Sequence, residues 1–199
     1  MKKFYLFLGL LIAILIGLMA NEPDKYQNIT KLNTDKLFFD DDLSVKSTIH
    51  SPFTKEDFFN KISLVFFGYT RCPDFCPDTL TKLNKIYKSL EDKKYINIDK
   101  LQIVFVSVDT KNDDIVTVKK YVQYFNNHFI GLSMDPVDLT NLSQSIGLYY
   151  EKISSNQNID LYEHTGAIFL VDQTGKLFGI STPPFNLSIL EKDISKLLN

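Results

Sequence analysis

A largely apolar run, Ile62-Ser63-Leu64-Val65-Phe66-Phe67, breaks at Gly68 and delivers the chain to Cys72-Pro73-Asp74-Phe75-Cys76-Pro77. The length of the run and its branched and aromatic content suit a buried strand. Pro77 fits the first position of a helix, where a missing N–H costs nothing. Asp78 adds a carboxylate to the first turn, where the helix dipole favours it. The stretch therefore reads as strand, loop, helix, with Cys76 at the helix start. Both cysteines of the 199-residue chain lie in this loop.

Backbone N–H groups at a helix start stabilise a thiolate and lower a cysteine pKa. Pro73 and Pro77 stiffen the loop and push Cys72 and Cys76 towards extended conformations. Two sulfurs held at a set separation serve either one soft metal ion or one reversible disulfide. A buried, inert pair or a plain structural disulfide is the bland alternative, and with a proline after each thiol the functional reading is preferred. The C-x-x-x-C spacing alone is neither the C-x-x-C redox motif nor a paired zinc pattern.

Residues 1–20 open with Lys2-Lys3 and continue uncharged from Phe4 to Ala20. Such a run is at the short end of what spans a bilayer, and it also fits a signal peptide cut after Ala20. The uncleaved anchor is preferred, because the run is long for a signal core. The run holds no cysteine for a lipid anchor. The two lysines favour an N-terminus on the cytoplasmic or matrix side, which exports everything after Asn21. The remainder is long enough for one domain with a real core. The net charge is −2, or −4 without Lys2 and Lys3 (−2 − 2), with no basic run. That balance argues against nucleic-acid binding.

The division expected is an anchor over 1–20, an irregular linker over 21–48 and a folded domain over 49–199. In the linker Thr34 to Phe39 reads as a strand, and in the domain Thr54 with Asp57 reads as a helix start. Leu80, Leu83, Ile86, Tyr87 and Leu90 recur at helical spacing and predict a helix from Pro77 to Asp92. Leu101 to Val108 is a second buried strand, and strand, helix, strand of this length implies a parallel pair. Asp109 then ends that strand at the same rim as the cysteine loop, where it reads as a turn cap in preference to an outer-shell group of the site. A helix follows Asp113-Asp114, then an apolar strand over Phe129 to Leu132, then a helix opened by Asp135-Pro136 and stopped at Gly147. Residues 152–160 read as a polar loop. Ala167 to Val171 and Lys176 to Ile180 form a hairpin turning at Gly175, and Leu187 to Leu198 is a closing amphipathic helix.

With its surroundings the cysteine motif becomes specific. L-V-F-F-G-Y-T-R-C-P-D-F-C-P-D-T-L, from Leu64 to Leu80, resembles the copper site of the Sco/SenC family, assembly factors of cytochrome c oxidase. The resemblance covers roughly Ile62 to Ile180. It implies an α/β, thioredoxin-like fold with a central mixed sheet flanked by helices. It also implies copper bound by Cys72, Cys76 and one distant histidine. The family's S-V-D-P has its counterpart at Ser107 to Thr110, with Thr110 in place of proline. Its D-H-[ST] before a strand matches Glu163-His164-Thr165, with glutamate in place of aspartate.

Three histidines compete for the third position. His50 lies in an early polar segment, and His128 follows a helix end, where it complements the dipole. His164 stands just before a core strand, where the resemblance places the ligand. In thioredoxin-like redox enzymes a cis-proline holds that approach to the thiols; here a histidine does. Two thiolates and an imidazole make a soft site suited to copper, whereas a structural zinc site wants four closed ligands.

The leading reading is thus a membrane-tethered metallochaperone with Cys72, Cys76 and His164 as copper ligands. The resemblance names the dinuclear copper centre of cytochrome c oxidase subunit II as recipient. It sets the domain on the periplasmic side of a bacterial inner membrane or in the mitochondrial intermembrane space. Outside the cytosol thiols drift to disulfides, so a separate thiol reductant is implied, as is a copper donor. The competing reading is a thiol–disulfide oxidoreductase using Cys72 and Cys76 without His164. A peroxidase supported by a threonine and Arg71 fits two prolines and a paired thiol poorly.

Overall fold

The computed structural model of the chain describes residues 26–156 and 159–199. In chain order the elements are β1 (Thr30–Lys31), β2 (Lys46–Ser47), β3 (Ile62–Gly68), α1 (Phe75–Asp92), β4 (Leu101–Ser107), α2 (Ile115–Phe125) and β5 (Ile130–Ser133). There follow α3 (Pro136–Ile146), β6 (Tyr150–Asn156), β7 (Ile159–His164), β8 (Ile168–Val171), β9 (Leu177–Ser181) and α4 (Leu187–Leu198). Seven strands make one mixed sheet in the order β1-β9-β8-β3-β4-β5-β2, while β6 and β7 form a separate two-stranded ribbon.

The centre of the sheet follows from its composition. All seven residues of β3 and all seven of β4 are buried. Burial on both faces is the state of a strand covered by helices on each side. Leu64, Val65, Phe66 and Phe67 are wholly buried, each worth about 2 kcal/mol of transfer free energy. β3 and β4 run parallel, from Ile62 beside Leu101 to Gly68 beside Ser107. β8 lies antiparallel on the other side of β3, with Ile168 opposite Phe66. The carboxyl ends of β3 and β4 and the amino end of β8 therefore meet at one rim. α1 turns Leu80, Leu83, Ile86, Tyr87 and Leu90 inward, as their spacing predicts, and packs against α2 and α4.

The structure corrects four local expectations. Residues 34–39 form no strand; one bridge joins Leu37 to Lys176, and Phe38 and Phe39 instead drop into the core. There they meet Phe53 and Phe58 in edge-to-face contacts with centroids 5.0–6.2 Å apart. The helix expected after Thr54 is one 3-10 turn, Lys55–Phe58, with Asp57 accepting from the Thr54 N–H at 2.8 Å. α1 starts at Phe75, behind Asp74, rather than at Pro77. Proline is as harmless at the third helical position as at the first, because all N–H groups of the first turn lack helical acceptors. The polar loop over 152–160 is instead largely strand, paired from Tyr150 beside His164 to Asn156 beside Ile159. Residues 157–158, in the middle of that expectation, and the expected anchor over 1–20 lie outside the described residues. Among the described residues no helix is long and apolar enough to cross a membrane.

Candidate metal centre

The cysteine loop is fixed by the sheet end beneath it. The Thr70 N–H and hydroxyl both donate to Asp113, at 2.8 and 2.6 Å, and Ser107 donates to the same carboxylate at 2.6 Å. The loop closes with Cys72 N–H donating to the Tyr69 carbonyl at 3.2 Å. Cys76 is the second residue of α1 and is wholly buried, while Cys72 is partly exposed. The Cys76 N–H donates to Cys72 Sγ at 3.4 Å. A Cβ on Gly68 would stand 2.8 Å from Cys76 Sγ and 3.0 Å from Phe105. Only glycine lets the strand pass so close to the buried sulfur.

His164 arrives from the opposite direction, as the last residue of β7. Its Nε2 lies 3.5 Å from Cys76 Sγ, and its Nδ1 lies 3.3 Å from the Thr165 carbonyl. A carbonyl only accepts, so this contact places the ring proton on Nδ1 and turns the Nε2 lone pair towards sulfur. Phe66, Tyr69 and Phe75 stand edge-on around the imidazole, with centroids 6.0, 6.2 and 6.1 Å away. A Cβ on Gly166 would lie 2.5 Å from the Phe75 ring, so its absence makes room for that wall.

The thiols titrate as a coupled pair. A hydrogen bond from Cys76, helped by the nearby His164 side chain and the backbone N–H groups of Cys76 and Asp74 and opposed by burial, brings Cys72 down to about 4. The same Cys72 partner, and then burial, push Cys76 up. At neutral pH the site holds one thiolate, on Cys72, and one thiol, on Cys76. A soft cation entering between them displaces the second proton, as metal binding to thiols requires.

The donor atoms of Cys72, Cys76 and His164 all lie within 4.8 Å of one another. One ion reaches thiolate sulfur at about 2.3 Å and imidazole nitrogen at about 2.0 Å. Two soft sulfurs and one nitrogen behind an aromatic wall fit a copper ion. His50 is elsewhere, with Nε2 2.8 Å from Asp57. His128 is stacked on Tyr87 at 5.7 Å. Glu163 is exposed and pairs across the ribbon with Glu151, away from the donor cluster.

Asp109 does more than the turn cap expected of it. It accepts from the Asn112 N–H at 3.3 Å, as a cap does. It is also wholly buried, pairs with Arg71 and accepts from the Tyr162 hydroxyl at 3.2 Å. Burial, and then the Asp109 charge, push the Tyr162 phenol up, which keeps that hydroxyl a donor. Sequence reasoning passed over Asp113 and Tyr162. The available signal was a pair of aspartates four residues apart just beyond a wholly buried strand, where a carboxylate must find donors.

The SCO1/SenC family pattern matches residues 35–199. The chain belongs to the SCO1/SenC family. It is 32% identical over 135 residues to the mitochondrial SCO2 homolog of Mus musculus, covering 67% of this chain and 52% of that protein. The chain thus spans about half the length of that relative. ScoI of Bradyrhizobium japonicum, solved with copper bound, superposes with a TM-score of 0.69 at 27% identity, covering 77% of this chain and 96% of that one. Apo Sco1 of Thermus thermophilus superposes with a TM-score of 0.72 at 28% identity, over 89% and 100% of the two chains. The expected α/β, thioredoxin-like architecture is therefore that of this SCO1/SenC chain.

Proposed function

We propose that the chain is a copper chaperone that holds its cargo through Cys72, Cys76 and His164. The observation that carries the reading is the convergence of both cysteines with one histidine inside 4.8 Å. Copper enters as cargo, and three donors hold it without closing its coordination. No fourth His, Cys, Asp or Glu donor joins the cluster among the described residues. A partly exposed Cys72 leaves one approach for an incoming ligand. Following the family, the recipient is the dinuclear copper centre of cytochrome c oxidase subunit II. Residues 1–20 tether the domain to a membrane, on the periplasmic side in a bacterium or in the intermembrane space of a mitochondrion.

A thiol–disulfide oxidoreductase is the second reading, favoured by the lowered Cys72 pKa beside a resolving thiol. In it the Cys72 thiolate attacks a substrate disulfide and Cys76 resolves the mixed disulfide, oxidising the pair and reducing the substrate by two electrons. The same low pKa argues against strong reducing power. It stabilises the dithiol form, as in strongly oxidising members of that chemistry. Thiols that resist oxidation suit a metal donor better than a reductant. The peroxidase reading weakens too, because Thr70 is committed to Asp113 and Arg71 to Asp109.

Copper stoichiometry on the reduced full-length chain tests the reading. One copper per chain is expected, weakened in His164→Ala and abolished in Cys72→Ser/Cys76→Ser. Disulfide reduction indifferent to His164→Ala, with no retained copper, would overturn it.

A further inference from the structure

We propose that Asp109 is a positioning residue, a sheet-borne latch that sets the distance between the cysteine loop and the histidine arm. The inference rests on the reading of Cys72, Cys76 and His164 as the copper ligands. Asp109 follows β4, in the fixed centre of the sheet. One of its oxygens faces Arg71, the residue before Cys72. The other accepts from Tyr162, two residues before His164, at 3.2 Å. Alternate residues of a strand share a face, so Asp160, Tyr162 and His164 project together from β7.

All three are held by the rim of the main sheet. Asn112 Nδ2 donates to both Asp109 oxygens, at 2.8 and 3.0 Å, and to Asp160 at 3.2 Å. The Tyr162 ring packs on Tyr69 with centroids 5.3 Å apart. His164 then reaches Cys76. A turn cap needs a single carboxylate oxygen facing its own turn. Asp109 instead spends both oxygens, and its contacts join segments 38 and 53 residues away in sequence. The ribbon makes no main-sheet pairing of its own, so these side-chain contacts decide where its last residue stands.

The test uses the full-length chain in mild detergent. Copper affinity is measured by competition, and the nitrogen superhyperfine pattern of the copper(II) form by electron paramagnetic resonance. Asp109→Asn should weaken copper about 10–100-fold, the usual range for a group that orients a ligand. Tyr162→Phe, which removes one hydroxyl and leaves the Arg71 pair intact, should weaken it about 3–10-fold and serves if Asp109→Asn does not fold. Both should lose or dilute the histidine nitrogen pattern, and neither should add to His164→Ala in the double variant. Variants that keep wild-type affinity and pattern while melting at lower temperature would overturn the latch, as would full additivity with His164→Ala. A wild-type chain that binds no copper would sink the chaperone reading instead. The latch is then judged by the nuclear Overhauser contact between the His164 ring and the Cys76 β-protons in the metal-free chain. Its loss in Tyr162→Phe supports the latch, and its persistence overturns it.

Discussion

The cysteine loop and the histidine arm meet at one point but are held there differently. The loop runs between β3 and α1, and both of those are part of the buried core. Asp113 ties its backbone to the end of β4 through three donors. The arm is a ribbon outside the main sheet, closed at its base by bonds between Tyr149 and Thr165 and joined to the rim by the Tyr162 and Asn112 hydrogen bonds and an aromatic contact. Apolar burial is short-ranged and non-directional, so the loop shifts only if the core shifts. Polar contacts at a partly wet rim are worth about 1 kcal/mol each, so the arm opens at a cost far below that of unfolding. Two fixed sulfurs and one yielding nitrogen are the arrangement that the proposed cargo role requires.

The largest effect should appear in the thiols. In the reduced, metal-free chain, Cys72 should alkylate with a midpoint near about 4, while Cys76 stays unlabelled until the chain unfolds. Mass spectrometry of iodoacetamide-treated protein across pH checks both. His164→Ala should raise the Cys72 midpoint only in part, because the Cys76 hydrogen bond comes first among its causes. A midpoint restored to the ordinary value of about 8.5 would show that the arm governs the loop. Stability follows with a definite sign. Between about 4 and about 8.5 the unfolded chain binds the proton that folded Cys72 has lost, so stability rises with pH. Above about 8.5 the unfolded Cys76 ionises while the folded one keeps its proton, so stability falls again. Denaturant midpoints measured from pH 4 to 10 should trace that arch, and Cys72→Ser/Cys76→Ser should flatten it.

Next in size is the cost of crowding the fixed side. Gly68→Ala places a methyl 2.8 Å from Cys76 Sγ and 3.0 Å from Phe105. Both neighbours are wholly buried, so neither can step aside freely. Overpacking of this kind costs about 1–3 kcal/mol, read as a lower urea midpoint with an unchanged slope. Copper affinity should fall with it, since the displaced atom is one of the three proposed ligands. A Gly68→Ala chain of wild-type stability would mean that the sulfur is mobile and that the contrast between the two sides is false.

How far the sequence foretold these two sides follows from the forces that hold them. β3, β4 and β8 announce themselves because strands buried on both faces are nearly continuous apolar runs. The helices show through spacing, and positive φ marks the end of α3 at Gly147 (72°) and the β8–β9 turn at Gly175 (77°). The cysteine loop was legible because its strand, prolines and thiols are consecutive. His164 was legible from its place before a core strand and from the family resemblance. The ribbon was not, because its strands are polar and paired by register, with no apolar alternation to betray them. The Asp113 and Asp109 contacts were hidden for another reason. Their partners lie 38 to 53 residues away, at Thr70, Arg71 and Tyr162, and a long-range polar contact leaves no local pattern.

The smallest effect should come from the matching change on the yielding side. Gly166→Ala brings a methyl to 2.5 Å from the Phe75 ring, nominally a worse clash than that at Gly68. The clash is with the outer edge of a side chain that is 37% exposed, however. Phe75 can swing towards solvent, losing only part of its burial, and the backbone at Gly166 has no positive φ to strain. The expected stability cost is about 0.5 kcal/mol, within the range of ordinary surface substitutions. The wall beside His164 is thinned in the process, so copper should dissociate a few-fold faster while stoichiometry stays at one. Stopped-flow transfer to a chelator, set beside a urea curve, separates the two quantities. Faster release at nearly unchanged stability would show that exchange is set on the arm side. A stability loss as large as that of Gly68→Ala would show that the arm is as firmly packed as the loop.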